Sequence, residues 1–315
     1  MKISSERQRV SNALLYFYNY LSRGYSYTKY MIIDGRKIAE EIIHELMSRP
    51  KPSRFFGAVL VGDDPASLNF LKQKEKVAKE LGIEFRLYRL SSGITTDELR
   101  REIARLAGAK TCGGFIVQLP LPEKINMHYA LNAIPKEKDV DMLSESALGG
   151  FYSGRHKIVP PSVGTVEEIV RQENLNLREL SAVLVGAGFL IGKPVGFWLQ
   201  NRVAELTVFD EHAKHLREKL KNADLVVSGA GVPNLFSADD LKDGAVVIDF
   251  GFNNIGGKIC GDFNVSGVKG SSFAKATAGR QESRVKFTPT PGGTGPILVA
   301  KLFENFYALN SSKQI

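Results

Sequence analysis

Residues 181–202, SAVLVGAGFLIGKPVGFWLQNR, decide the fold. The apolar run SAVLV leads into a glycine-rich turn, and a helical pattern follows that turn. A short apolar run that stops at a glycine is typical of a buried strand. A turn of this kind, between a buried strand and a helix, allows backbone N–H groups to face a pyrophosphate. We therefore predict a dinucleotide-binding turn at Gly186, Ala187, Gly188 and Gly192.

Strands and helices alternate in the same way on both sides of this turn. Before it, FFGAVLVG and GGFIVQLPLP predict buried strands, and EFRLYRL alternates like a half-buried strand. Helical periodicity marks KIAEEIIHELM, ASLNFLKQKEKVAKELG and TTDELRREIARLA, the last opened by a threonine cap. After the turn, ELTVFD, ADLVVSGAG and GAVVIDFG continue the alternation, whereas PKEKDVDMLSESALGG, residues 135–150, is predicted to be a loop. Such alternation predicts βαβ units and parallel sheets.

We therefore predict an α/β fold with two domains. The first is an α/β domain formed by residues 31–155 together with about 295–315. The second, residues 156–294, is a Rossmann-like dinucleotide-binding domain. The C-terminal helix, TGPILVAKLFENFYAL, is expected to return to the first domain. A chain of 315 residues, 43% of them apolar, is long enough for two such cores.

Composition favours a cytoplasmic protein. No apolar run approaches the roughly 18–20 residues that a membrane span needs, so no membrane partner is expected. The two cysteines, Cys112 and Cys260, lie far apart in the chain and neither belongs to a CxxC motif. This pattern argues against a disulfide framework and fits a reducing compartment.

The net charge of +8 is confined to two segments. Residues 1–30 and residues 264–286 each carry five basic side chains against one acidic side chain, which accounts for the whole excess. The rest of the chain is neutral, so we expect no nucleic-acid partner. The segment 1–30 is interpreted as an extension, either a disordered tail or the result of a mis-called start before Met31; a targeting presequence is the competing interpretation. Residues 268–286 are polar and lack an apolar period, and are predicted to be a flexible insertion.

One of the four lysines in SLNFLKQKEKVAKELG, residues 67–82, departs from the other three. On a helical wheel Lys74 lies within the apolar stripe, one turn after Phe70, and Ser67 points the same way. The other three lie on the opposite face: Lys72, Lys76 and Lys79. Lys74 could extend past the stripe to water. Alternatively, it lies in a cleft, where desolvation lowers the pKa of its amine and allows proton transfer near neutral pH.

Several motifs together point to one family. They occur in the order VGDDPASLNFLKQKEK, GFIVQLPLP, KDVDML, LVGAGFLIGKP, GAVVIDFGFN, CGDFN and TPTPGGTGP. In this order the chain resembles the methylenetetrahydrofolate dehydrogenase/cyclohydrolase family from residue 31 to about 310, apart from the insertion. The resemblance implies a cleft between a folate-binding catalytic domain and the dinucleotide domain, and a homodimer. It also implies hydride transfer from 5,10-methylenetetrahydrofolate to a nicotinamide cofactor, followed by hydrolysis of 5,10-methenyltetrahydrofolate to 10-formyltetrahydrofolate.

The resemblance assigns roles to residues of the first domain. The lysine of the family's Tyr-x-x-x-Lys motif falls on Lys74, which would assist ring opening and orient substrate. Ser67, on the same face, is predicted to bind substrate. The tyrosine position holds Phe70, which can stack on the substrate but cannot relay a proton. Gln118 would hydrogen-bond near the lysine, although a glutamine between apolar strand residues is also typical of a satisfied core amide. Asp141 would accept hydrogen bonds from the pterin N–H groups.

Two further segments are predicted around the substrate. In KDVD, turn chemistry is the favoured role for Asp139. The loop TPTPGGTGP matches the family loop that lines the cleft, and its predicted binding residues are Pro291, Gly292, Gly293 and Pro296. The family's Pro-Cys-Thr-Pro stretch is replaced here by VPPSVG, residues 159–164, so the contacts of that loop are not carried over.

The choice of cofactor stays open between NADP and NAD. NADP is the family default, but the family's Gly-Arg-Ser is Gly186-Ala187-Gly188 here. Asp210, at the end of ELTVFD, would accept from a ribose 2′-OH and repel a 2′-phosphate, which favours NAD; it could instead be a solvated strand end, and His212 or Lys214 could serve a phosphate. Ser228, Gly229 and the segment from Ile248 to Gly251 are also predicted to line the nicotinamide side. The histidines show no metal-ligand spacing, so no metal is predicted.

Three functional alternatives remain at this stage. The chain could be a dehydrogenase whose cyclohydrolase step is weak or absent because of Phe70. It could be a non-catalytic folate- or dinucleotide-binding relative, although retention of Lys74, Gln118 and Asp141 argues against that. It could also be a Rossmann dehydrogenase of another substrate, which would not explain VQLPLP together with KDVD.

Overall fold

The structure of the protein is a computed structural model that describes residues 32–265 and 285–311. The predicted extension 1–30 lies outside the described residues, as does most of the predicted insertion 268–286. The end assigned to that insertion was wrong. Val285 is fully buried and Lys286–Phe287 forms a strand, because these residues complete the edge of a sheet.

The N-terminal half contains a three-stranded parallel sheet with the order β2-β1-β3. Its strands are β1 (Phe55–Val61), β2 (Phe85–Leu90) and β3 (Cys112–Val117). Every residue of β1 and β3 is buried, because helices cover the sheet. The first helices are α1 (Gly35–Met47), α2 (Pro65–Glu80) and α3 (Thr96–Gly108).

Side-chain caps explain where these helices begin. The Asp34 carboxylate accepts from the first-turn N–H groups of α1, and Asp64 accepts from the N–H of Ser67 in α2. The predicted threonine cap of α3 is confirmed: Thr95 forms a capping box with Glu98.

The predicted loop at residues 135–150 was wrong in its second half. After the short helix α4 (Met127–Leu131), the chain forms α5 (Glu145–Tyr152). The Ser144 hydroxyl caps α5 by accepting from the Ala147 N–H, and the carboxylate of fully buried Asp139 holds the preceding turn. The glycines and serines of this segment suggested a loop, whereas Ser144 is the N-cap residue of a helix.

The second half contains a five-stranded parallel sheet with the order β12-β8-β6-β4-β5. Its strands are β4 (Ser181–Val185), β5 (Glu205–Phe209), β6 (Leu225–Ser228), β8 (Val246–Asp249) and β12 (Lys286–Phe287). The shorter pairs are β7 (Phe236–Ser237) with β11 (Phe263–Asn264), and β9 (Asn253–Ile255) with β10 (Lys258–Cys260). Helices α6 (Pro161–Gln172), α7 (Gly192–Leu199) and α8 (Leu216–Leu220) belong to this half. Because β5 and β6 lie on opposite sides of β4, a crevice forms at the carboxyl ends of these strands.

The C-terminal helix α9 (Thr294–Asn310) returns to the first sheet, as predicted. It packs against α1 and α6, and its Phe303 and Phe306 rings lie 5.1 and 5.3 Å from the Phe56 ring of β1. The Asn305 side chain donates to the backbone oxygens of Val140 and Val159. Among the described helices none is long and apolar enough to span a bilayer.

Candidate active site

A cavity of about 240 Å³, the lysine cavity, lies between the two sheets. The predicted catalytic residues Lys74, Gln118 and Asp141 all line it. Lys74 comes from α2, Gln118 follows β3, and Asp141 lies in the turn before α5. The structure therefore brings together three side chains that are far apart in the sequence.

Lys74 is buried, with 9% of its surface exposed, and its Nζ donates to Gln118 Oε1 at 2.9 Å. The alternative in which this side chain extends to water is wrong, whereas the other three lysines of α2 are exposed as predicted. Burial lowers the pKa of the Lys74 amine, and the nearby Asp141 carboxylate partly opposes that change. Gln118 in turn donates to the Leu119 backbone oxygen at 2.7 Å, so its amide is fixed.

Asp141 and Asp139 differ in their partners. Burial raises the pKa of Asp141 to about 6, with Lys74 lowering it and Asp139 raising it. Asp139 accepts from the N–H groups of Leu143 and Ser144, which confirms its predicted turn role. No donor in the described part of the chain hydrogen-bonds to the Asp141 carboxyl group, so this acceptor is available to a ligand.

A second cavity of about 270 Å³, the loop cavity, adjoins the first. The four predicted loop residues line it: Pro291, Gly292, Gly293 and Pro296. Phe70, Gly295 and Leu298 line both cavities, so the Phe70 ring lies at their boundary. That ring also contacts the Phe252 ring edge-on, at 5.2 Å between centroids.

A third cavity of about 670 Å³, the dinucleotide cavity, lies at the crevice beside β4. Five predicted cofactor residues line it: Gly186, Ala187, Gly188, Asp210 and Gly229. Gly192, the first residue of α7, packs directly against the glycine-rich turn that lines this cavity. A side chain at Gly192 would place Cβ 2.0 Å from the Gly186 oxygen, so only glycine allows this approach of helix and turn. The volume, the glycine turn and the helix start fit a nicotinamide dinucleotide.

The chemistry at the end of β5 is acidic. Asp210, Glu211 and His212 all line the dinucleotide cavity and are exposed. Asp210 Oδ1 accepts from the His212 N–H at 2.9 Å, and the other carboxylate oxygen can accept from a ligand hydroxyl. A phosphate group bound at this position would be repelled by the carboxylates of Asp210 and Glu211.

Three predicted binding residues lie outside the expected positions. Ser67 is buried at the start of α2, where its N–H donates to Asp64, and it lines none of the three cavities. Ser228 is also fully buried, and its hydroxyl donates to Asp262. Gly251 lines the loop cavity rather than the dinucleotide cavity. Sequence periodicity gives the direction of a side chain but not what covers it.

One wall of the lysine cavity was not predicted from the sequence. That wall comes from the second half of the chain and includes Pro160, Pro161, Ser162, Leu190, Ile191 and Pro194. The Ser162 hydroxyl donates to the Leu190 oxygen at 2.8 Å, which fixes the two segments to each other. The position of VPPSVG in the family motif order was the available signal. In the described ranges no cluster of three or more His, Cys, Asp or Glu side chains could hold a metal ion.

Comparisons with known proteins identify the family. The model of the tetrahydrofolate dehydrogenase/cyclohydrolase catalytic domain matches residues 33–141, and that of the family's NAD(P)-binding domain matches residues 160–314. The bifunctional protein FolD of Halothermothrix orenii is 37% identical over 87% of this chain and 95% of its own length. The bifunctional FolD structure from Campylobacter jejuni has 30% identity and a TM-score of 0.79, covering 88% of this chain and 97% of its own. A Trypanosoma brucei FolD solved with NADP and an inhibitor has 29% identity and a TM-score of 0.76, covering 88% and 96%. The chain therefore belongs to the tetrahydrofolate dehydrogenase/cyclohydrolase family.

Proposed function

We propose that this protein oxidises 5,10-methylenetetrahydrofolate to 5,10-methenyltetrahydrofolate and then hydrolyses the product to 10-formyltetrahydrofolate. The observation that carries the proposal is the buried hydrogen bond between Lys74 and Gln118 in a cavity that Asp141 also lines. A bound nicotinamide dinucleotide would supply the hydride acceptor of the first step. The residues of this chain bind and orient the folate and move protons.

Asp141 is proposed to hold the pterin. A pterin presents an amino group and a ring N–H side by side, and an ionised carboxylate accepts both. With a pKa of about 6, Asp141 is mostly ionised at neutral pH. Lys74 lines the same cavity, so a folate bound through Asp141 would have its one-carbon bridge near the amine.

Lys74 is proposed to transfer protons during ring opening. Water adds to the methenyl carbon, and the bond from that carbon to N5 breaks; one proton passes to N5 and one is released. A lysine with a lowered pKa can take the proton of the attacking water as an amine and return it as an ammonium group. Gln118 accepts from the amine and holds it in place.

The acidic end of the folate is proposed to lie in the loop cavity. Among the described residues that line this cavity, Arg36 is the one with a charged side chain. The aminobenzoyl ring would then cross the boundary at Phe70, where an aromatic side chain can stack on it. A guanidinium is well suited to a carboxylate.

NAD is proposed as the preferred cofactor. The support is the pair Asp210 and Glu211 at the cavity, together with Ala187 and Gly188 where the family carries arginine and serine. NADP, present in the Trypanosoma brucei structure, is the alternative. Steady-state rates with each dinucleotide decide between them.

A second candidate is a dehydrogenase with weak or absent cyclohydrolase activity. Phe70 favours it, because a phenyl ring at the cavity boundary supplies no hydroxyl. Incubation with 5,10-methylenetetrahydrofolate and NAD or NADP, followed by product separation, tests both. Formation of 10-formyltetrahydrofolate supports the bifunctional enzyme, whereas accumulation of the methenyl compound supports the second candidate. Binding of both ligands without turnover would indicate a non-catalytic relative.

We also propose the assignment of the two domains. Residues 31–155 with about 295–315 would bind folate, and residues 156–294 would bind the dinucleotide; the two sheets and the two family-model matches support this division. A homodimer is proposed on the family resemblance, and sedimentation equilibrium tests it. A cytoplasmic location is proposed because Cys112 and Cys260 are free thiols.

A further inference from the structure

A buried carboxylate that takes no part in the proposed chemistry fixes one wall of the dinucleotide cavity. Asp262 lies between β10 and β11 and is fully buried. Its Oδ2 accepts from the Ser228 hydroxyl at 2.7 Å, from the Ala230 N–H at 2.8 Å and from the Gly231 N–H at 3.3 Å. Ala230 and its neighbour Gly229 line the dinucleotide cavity. One carboxylate therefore accepts from three residues of the segment that forms this wall.

The other oxygen of Asp262 faces a different segment. Its Oδ1 accepts from Asn253 Nδ2 at 3.4 Å. Gly251 lies so close that a Cβ there would be 2.4 Å from both the backbone nitrogen and Oδ1 of Asp262. Between these two contacts lies Phe252, which lines the loop cavity and touches Phe70. The same carboxylate thus supports a wall of the folate side.

Hydrogen bonds continue from this segment to the glycine-rich loop of the loop cavity. The Gly251 oxygen accepts from the Thr290 hydroxyl at 3.3 Å, and its N–H donates to Asp249 at 2.7 Å. The Asp249 backbone oxygen accepts from the Thr294 hydroxyl at 2.9 Å. A continuous set of contacts therefore joins the backbone beside the dinucleotide to the backbone beside the folate.

We propose that Asp262 is a positioning residue that couples dinucleotide binding to folate binding. The inference rests on the proposed function, since it takes the two cavities as the sites of these two ligands. A dinucleotide that orders the backbone at residues 228–231 fixes Asp262, which in turn fixes residues 250–253 and the Phe252 ring. The second ligand then meets an ordered wall, so each ligand strengthens the binding of the other by the same factor.

A carboxylate is required because every group that hydrogen-bonds to the Asp262 side chain is a donor. The hydroxyl, the two backbone N–H groups and the Asn253 amide all point towards it. An ionised carboxylate accepts on both oxygens, whereas an asparagine would turn an amide N–H towards some of these donors. Buried donors left without an acceptor are costly, so the segments would move apart.

The test is a binding titration that needs no turnover. NAD and NADP are each titrated by calorimetry into the full-length protein, with and without saturating tetrahydrofolate, which lacks the one-carbon bridge and gives up no hydride. For the wild type we expect tetrahydrofolate to tighten binding of the preferred dinucleotide at least about fivefold. The reciprocal titration, tetrahydrofolate with and without the dinucleotide, is expected to give the same factor.

Three variants locate the coupling. Asn253→Ala removes the hydrogen bond on the folate side but keeps the packing of Gly251 on Asp262, and is expected to reduce the coupling factor at least about twofold. Asp262→Asn is expected to abolish the coupling and also to weaken the dinucleotide on its own. Asp239→Asn, an exposed acid in the same half of the chain, is the matched control and keeps the wild-type factor. If Asp262→Asn does not fold, the coupling factor of the Asn253→Ala protein still tests the proposal.

The outcomes separate this inference from the proposed function. Binding of both ligands to the wild type with no mutual effect, or an Asn253→Ala protein with the full wild-type factor, would overturn the coupling role and leave the proposed function standing. Failure of the wild type to bind tetrahydrofolate or either dinucleotide would overturn both.

Discussion

The amine of Lys74 lies 2.9 Å from Oε1 of Gln118, inside a cavity that Asp141 also lines. The lysine belongs to a helix and the glutamine follows a buried strand, so packing of α2 on the first sheet creates the contact. One hydrogen bond replaces only part of the water that the amine has lost, and burial lowers its pKa. The packing that buries Lys74 is therefore also what lowers the pKa of its amine for the proposed proton transfer.

Folate binding is expected to weaken in acid because of Asp141. Protonation removes the acceptor as the pH falls through the pKa of about 6. The dissociation constant of tetrahydrofolate should therefore rise about tenfold from about pH 7 to about pH 5, measured by calorimetry. In Asp141→Asn this component should be absent; an equal pH dependence in that variant would show that another group is responsible.

Restoring a hydroxyl at the cavity boundary is expected to accelerate ring opening. Phe70→Tyr should raise the cyclohydrolase rate at least about tenfold, because a phenol can relay a proton, while the dehydrogenase rate stays within about twofold. The rate of decay of 5,10-methenyltetrahydrofolate measures the effect. Phe252→Tyr, on the ring that touches Phe70, is the matched control, and an equal acceleration there would mean that the hydroxyl acts non-specifically.

Removal of a carboxylate beside the ribose is expected to change cofactor preference. Asp210→Ala should raise kcat/KM for NADP relative to NAD at least about tenfold, which corresponds to about 1.4 kcal/mol less repulsion of a 2′-phosphate. Glu205→Ala, at the opposite end of β5, is the control. If the ratio of kcat/KM for NADP to that for NAD does not change in Asp210→Ala, this residue is a solvated strand end that does not determine cofactor preference.

Two glycines of the dinucleotide turn are expected to respond differently to alanine. A Cβ at Gly192 would meet backbone atoms at 2.0 and 2.7 Å, whereas a Cβ at Gly188 meets nothing within 4 Å. Gly192→Ala should lower the free energy of unfolding by about 1–3 kcal/mol, and Gly188→Ala should change it by less than about 0.5 kcal/mol. Urea unfolding measures both, and equal losses would contradict the close packing of α7 on the turn.

The sequence predicted much of the site because its key side chains follow regular patterns. Helical periodicity separated Lys74 from the three exposed lysines, and strand ends indicated Asp210 and the glycine turn. The family motifs supplied Gln118 and Asp141, which no periodicity marks as site residues.

The remaining features depend on contacts between distant segments. Ser228 and Asp262 are 34 positions apart, and only the folded backbone shows that the serine serves a buried carboxylate rather than a ligand. The wall at residues 160–162 belongs to the other half of the chain from Lys74, so no local pattern predicts it. Helix α5 was missed because Ser144 and the following glycines suit both a loop and a capped helix.

The most direct measurement is the single-turnover hydrolysis of 5,10-methenyltetrahydrofolate by the wild type and by Lys74→Met, beside the control Lys72→Met on the exposed face of α2. A lysine that transfers protons in the transition state contributes about 10²–10⁴-fold to the rate. We expect Lys74→Met to lose at least about 100-fold in this step, while it still binds the dinucleotide and Lys72→Met keeps the wild-type rate. A Lys74→Met protein that is folded and hydrolyses the methenyl compound at the wild-type rate would contradict the account.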